Sequence, residues 1–294
     1  SEGGLGTASK YWASAYIDAI ITTGNITVGG VVTATSFNGI PFYSGDTGSI
    51  YTHDVSATDS TATYNTAYGL TAMDAITTGD YNVAIGYAAG SAITEGLTNV
   101  LIGAHCGDSI TTGDENIAIG HQALSAEDGH GRNVAIGHQA LKDQNAGADA
   151  YNVAVGYNAG TAITTGVQNT IIGGNAGDAL TTGYINTSLG YNTLGALITG
   201  HSNTALGHNA MGSANGSESK NTAVGHGALA TMNADGDNFN TAVGYNAGTS
   251  LTTGIRNTIM GGLAGDAITT GYENVVIGFN AASAQNTGAQ NTIV

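Results

Sequence analysis

From residue 65 to the end of the chain, apolar residues do not follow a helical face. In most 17-residue units they come in two short runs, with a glycine directly after the first and another shortly after the second. In residues 152–168, NVAVGYNAGTAITTGVQ, the runs are 152–155 and 161–164. The same unit returns as NTIIGGNAGDALTTGYI from Asn169 and as NTAVGYNAGTSLTTGIR from Asn240. Its leading asparagine recurs at Asn65, Asn82, Asn99, Asn116, Asn133, Asn152, Asn169, Asn186, Asn203, Asn221, Asn240, Asn257, Asn274 and Asn291. That makes thirteen complete units and the first four residues of a fourteenth. The spacing is 17 residues, except for one unit of 18 at Asn203 and two of 19 at Asn133 and Asn221. A fixed period of this length determines the architecture before any local reading does.

Glycine holds the fifth place of every complete unit, and a second glycine closes most of them. Neither apolar run is long enough for a helix, and glycine interrupts any 3.6-residue pattern. The pattern predicts an all-β fold: two short strands joined by glycine turns, forming one coil of a parallel β-solenoid, or β-roll. Stacked coils pair each strand with its copy one coil away at about 4.8 Å, so thirteen coils span roughly 60 Å. Each asparagine then lies above the next, which predicts an amide ladder through Asn82, Asn99, Asn116, Asn133, Asn152, Asn169, Asn186, Asn203, Asn221, Asn240, Asn257 and Asn274.

The fourth place is nearly always large and apolar: Ile85, Ile102, Ile119, Ile136, Val155, Ile172, Leu189, Leu206, Val224, Val243, Met260 and Ile277. The third place is also mostly apolar, as at Ala84, Leu101, Ala154, Ile171 and Val276. Neighbouring strand residues face opposite ways, so the strand reads as dry on both faces. One face covers the interior of its own coil. A coil this thin has nothing of its own to cover the other, so further copies of the chain are expected there, with a closed homotrimer as the natural arrangement for a fibre.

Composition supports a solenoid, with 47 glycines, one proline and only 9% charged residues in 294. The charges are lopsided, 21 acidic against five basic, a net of −16. That argues against nucleic acid and anionic membrane surfaces as partners. It favours solubility in salt and loose binding of divalent cations. Cys106 is the only cysteine, so no intrachain disulfide forms and no zinc spacing exists. No apolar run approaches a membrane span, so no membrane insertion is expected. No secretory signal is visible. Opening at Ser1 and stopping inside a repeat, the chain reads as the ordered part of something longer.

Three regions follow: residues 1–45, β-rich and outside the 17-residue period; a polar, turn-rich connector at 46–64; and the solenoid, 65–294. Within the solenoid, units 82–151 and 152–239 are related blocks. Each ends in a 19-residue unit whose added residues, in 143–151 and 232–239, are expected to bulge outward as loops. Loops on a regular rod are where recognition varies.

Few residues suggest chemistry. His121 and His138 hold place six of adjacent coils, as do His208 and His226, and stacking brings each pair to about 5 Å. Such pairs are candidate metal ligands. Yet Tyr87, Tyr157, Tyr191, Tyr245 and Phe279 take the same place elsewhere, and a packing ladder is the leading reading. Asp235 and Asp237, in NADGDN, are similar to an acidic calcium loop, but the twelve-residue spacing with its closing Glu is absent, and a solvated turn leads. No GxSxG, HExxH or phosphate-binding loop occurs, so neither an enzyme nor a cofactor is expected.

Two resemblances bear on function. Residues 5–39 carry Gly6, Thr7, Trp12, Tyr16, Thr23, Gly24, Asn25, Thr27, Gly29, Gly30, Thr33, Thr35, Phe37 and Gly39. This resembles the "GT…W…Y…TG-NITVGG-VTAT-F-G" pattern of bacteriophage tail-fibre shafts. The resemblance implies an interwoven trimeric β segment, with Trp12 and Tyr16 as its apolar plug on the three-fold axis. The same stretch also reads as a short amphipathic helix over 10–20. The repeat itself, as NVAIG, NTAVG and NIAIG, is similar to the head repeats of trimeric autotransporter adhesins, the YadA-like heads. Those are left-handed parallel β-rolls that assemble as trimers and bind host surface molecules. The likeness covers 65–294, but the unit here is longer than that family's usual one, and no coiled-coil stalk or anchor follows within the sequence. Related repeats also occur in phage fibres. Together the resemblances imply a tail fibre in the virion that attaches to a host surface receptor, polysaccharide or protein. The alternative is a bacterial surface adhesin head.

Overall fold

The structure, a computed structural model, describes residues 36–37, 40–41, 50–52, 61–284 and 286–294. The chain divides into two units, Ser1–Thr35 and Ser36–Val294, and every described residue belongs to the second. Trp12 and Tyr16, with most of residues 1–45, lie outside the described residues.

Among the described residues there is no helix. A two-residue antiparallel pair joins β1 (Ser36–Phe37) to β2 (Ile40–Pro41). Everything else is a parallel β-solenoid of about 14 coils. Its single sheet has 15 strands in strict sequence order, from β3 (Ile50–Tyr51) to β17 (Thr292–Ile293). The sheet therefore begins ahead of Asn65, with Ile50 opposite Thr66. Register is kept place for place: Thr170 lies opposite both Val153 and Thr187, and Ile172 opposite both Val155 and Leu189. The 19-residue units do not disturb it, since Val134 still faces Val153 and Thr222 still faces Thr241. Their extra residues are absorbed in largely exposed backbone at 145–149 and 233–237.

One expectation needs correcting. Each coil has one three-residue strand, not two. The second apolar run bends instead of extending. Gly160, at φ +59°, turns the chain just before it, and only Ile163 of 161–164 is fully buried. The backbone there still bonds from coil to coil, but the donors converge. The Thr181 carbonyl accepts from Thr164 N–H at 2.9 Å and from Gly166 N–H at 3.3 Å. The Thr164 hydroxyl also points at this carbonyl, at 3.4 Å. Shared acceptors replace a strand's alternating ladder.

The core is a thin column inside the coil. Place one supplies the asparagines, place three Ala84, Leu101 or Ile171, place eight an alanine as a rule, and place twelve Ile93, Ile110 or Ile163, all buried. Volume is balanced within coils, as close packing requires. Where place three is large, at Leu101, Ile171 and Ile259, place nine is glycine: Gly107, Gly177 and Gly265. Where place nine is Leu124, Leu141 or Met211, place three is alanine.

The fifth-place glycines are required twice over. Their φ lies between +125° and +147°, where L side chains rarely go, and a Cβ on Gly86 would stand 2.6 Å from the Gly103 carbonyl oxygen in the next coil.

Candidate functional site

The strand's alternation places its two apolar positions very differently. Place three is sealed inside the coil. Place four faces outward: Ile85, Ile102, Ile119, Ile136, Val155, Ile172, Leu189, Leu206, Val224, Val243, Met260 and Ile277 are all half-buried or exposed, and none belongs to the chain's own core. Leu189 is 45% and Met260 43% exposed. Because the strands pair in register, these side chains form one unbroken ridge along the sheet. Place two flanks it, as Val83, Val100, Ile117, Val134 and Val153 in the first coils and as threonine from Thr170 to Thr258. The result is an aligned apolar ridge, exposed or half-buried along its length, in a chain with few charges.

The asparagines run along the interior edge of the same strands and form a continuous ladder. Asn169 is typical. Its backbone N–H donates to Asn152 Oδ1 at 2.8 Å, and its Nδ2 donates to the Gly183 carbonyl at 2.9 Å. Its own Oδ1 accepts from the Asn186 backbone N–H at 3.0 Å. Asn82 through Asn274 are all buried to the same degree, and the backbone N–H to Oδ1 bond recurs along the column. In the two 19-residue units the side-chain donor turns back instead, Asn133 Nδ2 to the Gly131 carbonyl and Asn221 Nδ2 to the Ser219 carbonyl.

The histidines are brought together as stacked rings. His121 lies over His138 at 5.3 Å between ring centroids and His208 over His226 at 5.0 Å. Tyr157 continues the first stack, and Tyr191 and Tyr245 cap the second. An imidazole lone pair lies in the ring plane, so lone pairs in parallel stacked rings run side by side and do not converge on one ion. This geometry suits packing and not chelation. Asp235 and Asp237 are not brought together either. Asp235 accepts from the Ser217 backbone N–H at 3.1 Å, while Asp237 pairs with Lys220 Nζ at 2.6 Å.

The protruding loops are tied down by charge. Arg132 bonds Glu115 at 3.0 Å, Tyr151 at 3.0 Å, and Asp149. Those partners, Glu115 foremost, raise its pKa. Gln290 and Arg256 beside Glu273 hold that carboxyl below its usual range. Burial pushes the Cys106 thiol up to about 12, which leaves it an inert core residue.

One cluster went unnoticed in the sequence. Glu127, Asp128 and His130 bring a ligand atom each to within 4.8 Å of one another. Glu127 is fully buried, and burial pushes its carboxyl up to about 7 against the pull of the His130 backbone N–H. The signal was there to be read: a carboxylate in a column that is aliphatic in most other coils.

No family model, no curated protein and no solved structure matches the chain.

Proposed function

We propose that this chain is a structural fibre module, a homotrimer in which the outward ridges of three copies seal one another, and that it serves as the shaft or receptor-binding part of a phage tail fibre. The observation that carries this reading is the twelve-residue ridge from Ile85 to Ile277, in register and uncovered in the single chain. Three copies remove such ridges from water at once, and the transfer of apolar area is the main favourable term in association. The resemblance of residues 5–39 to tail-fibre shafts supports the phage assignment. The likeness of the repeat to YadA-like heads supports the runner-up, a bacterial adhesin head at the cell surface. In either case the work is mechanical and multivalent: a stiff rod presents loops such as 145–149 and 233–237 in three copies, and avidity replaces strong single contacts.

The test is a binding assay of labelled protein against purified bacterial surface polysaccharides, bacterial outer-membrane proteins and eukaryotic matrix proteins. Saturable binding to a bacterial surface component is expected of a tail fibre. Binding confined to the matrix proteins would replace it with the adhesin reading, and steady release of oligosaccharide from any polysaccharide would overturn both in favour of an enzyme.

A further inference from the structure

The twelfth place of the coil is an inward aliphatic position, filled by Ile93, Ile110, Ile163, Leu180 and Ile268. The coil that opens at Asn116 has Glu127 there, and the next has Gln144, both as buried as the residues they stand in for. Gln144 is satisfied. Its Oε1 accepts from Asn152 Nδ2 at 2.7 Å, and its Nε2 donates to the Thr164 carbonyl at 3.1 Å.

Glu127 is not satisfied. Its Oε1 accepts from the His130 backbone N–H at 3.1 Å, but its Oε2 is shielded from water without a hydrogen-bond partner. His130 Nδ1 is likewise shielded and makes no hydrogen bond, and it stands 3.7 Å from Glu127 Oε1. The one cationic side chain of this loop, Arg132, is committed to Glu115, Asp149 and Tyr151 instead. Burying an ionised carboxylate with an orphaned oxygen is costly unless a counter-charge meets it. Asp128, exposed at the mouth of the same turn, adds a second carboxylate.

We propose that Glu127, Asp128 and His130 form a site for a divalent transition-metal cation. Two carboxylate oxygens and one imidazole nitrogen suit a borderline ion such as Zn²⁺, whereas Ca²⁺ and Mg²⁺ favour oxygen ligands. Bonds to zinc of about 2.0–2.2 Å require the three ligand atoms to draw in from their present spread of up to 4.8 Å. Rotation of the exposed Asp128 and the one-third-exposed His130 side chain supplies that movement. The ion would neutralise Glu127, occupy both orphaned atoms and lock the 127–132 turn onto the coil, leaving one position open to water.

The experiment uses the full chain, stripped with EDTA and titrated with Zn²⁺, followed by calorimetry and by thermal melting. The expected result is one tight zinc per chain and a melting temperature that rises on binding. Glu127→Leu and His130→Ala should each weaken binding at least tenfold and abolish the shift, while His121→Ala should leave both unchanged. Glu127→Leu restores the aliphatic column, so it should melt above the stripped wild-type chain, which separates loss of a ligand from a folding defect. No saturable binding by the wild-type chain would overturn the site. So would an undiminished zinc response in Glu127→Leu and His130→Ala.

Discussion

At the scale of the residue, repetition turns a modest hydrogen bond into a requirement. Asn169 serves three coils at once, as acceptor, backbone donor and side-chain donor, so no asparagine in the column can change without orphaning groups in its neighbours. A buried group left unpaired costs about 1–3 kcal/mol. The fifth-place glycines are constrained by backbone alone. Gly86→Ala sets a Cβ 2.6 Å from a carbonyl of the next coil, at a φ of +134°. Neither atom can yield without breaking register, and a loss of more than about 4 kcal/mol is expected, in the exceptional range for a point change. Gly147 also has positive φ, +68°, but nothing lies within 4 Å of its would-be Cβ. Gly147→Ala should cost only about 1–2 kcal/mol, the strain of the left-handed conformation. Denaturant unfolding of the two variants side by side checks this; equal losses would mean that coil contact is not what fixes place five.

At the scale of the element, the strand is a divider three residues wide. Ile171 faces the coil interior and Ile172 the outside, and each has its counterparts directly above and below. Ile171→Asp buries an unpaired charge whatever the state of assembly and should cost several kcal/mol. Ile172→Asp distinguishes the two possibilities for the ridge. If sister copies cover it, this change should also cost several kcal/mol and weaken assembly. A melting temperature and a mass both unchanged by Ile172→Asp would show that the ridge stays wet. The sequence made this strand legible because alternation is visible in three adjacent residues repeated a dozen times. It made the second run look like a strand too, because Ala-Ile-Thr-Thr has the composition of one. Composition does not report the left-handed turn at Gly160 or the convergence of donors on the Thr181 carbonyl, and these convert that side into a bend. Glu127 was legible only by its column, a carboxylate at a twelfth place that is aliphatic in most coils, because neither histidine spacing nor an Asp-rich run marks it.

At the scale of the whole molecule, two facts pull in opposite directions. A net charge of −16 opposes association of chains, while the proposed trimer requires the ridges on their sheets to meet. Among the described residues, the acidic side chains and the ridge occupy different places in the coil. The ridge residues from Ile85 to Ile277 are all uncharged, while the acidic residues among those described fall outside the strands, in turns and loops such as Asp114, Asp149 and Asp235. Association along the ridge can therefore bury apolar side chains without stacking like charges directly on one another. The solenoid was readable from period alone, since 17-residue spacing, glycine corners and a leading asparagine leave little else for these residues to form. The number of chains was not, because a period describes one copy and the ridge shows only an apolar face left exposed on that copy.

The most direct test is the mass of the purified chain in solution, by sedimentation equilibrium or light scattering across a range of concentrations. The account predicts a stable species of three chains of 29.2 kDa, about 88 kDa, that persists on dilution. A single species at 29.2 kDa, with the ridge exposed, would contradict it.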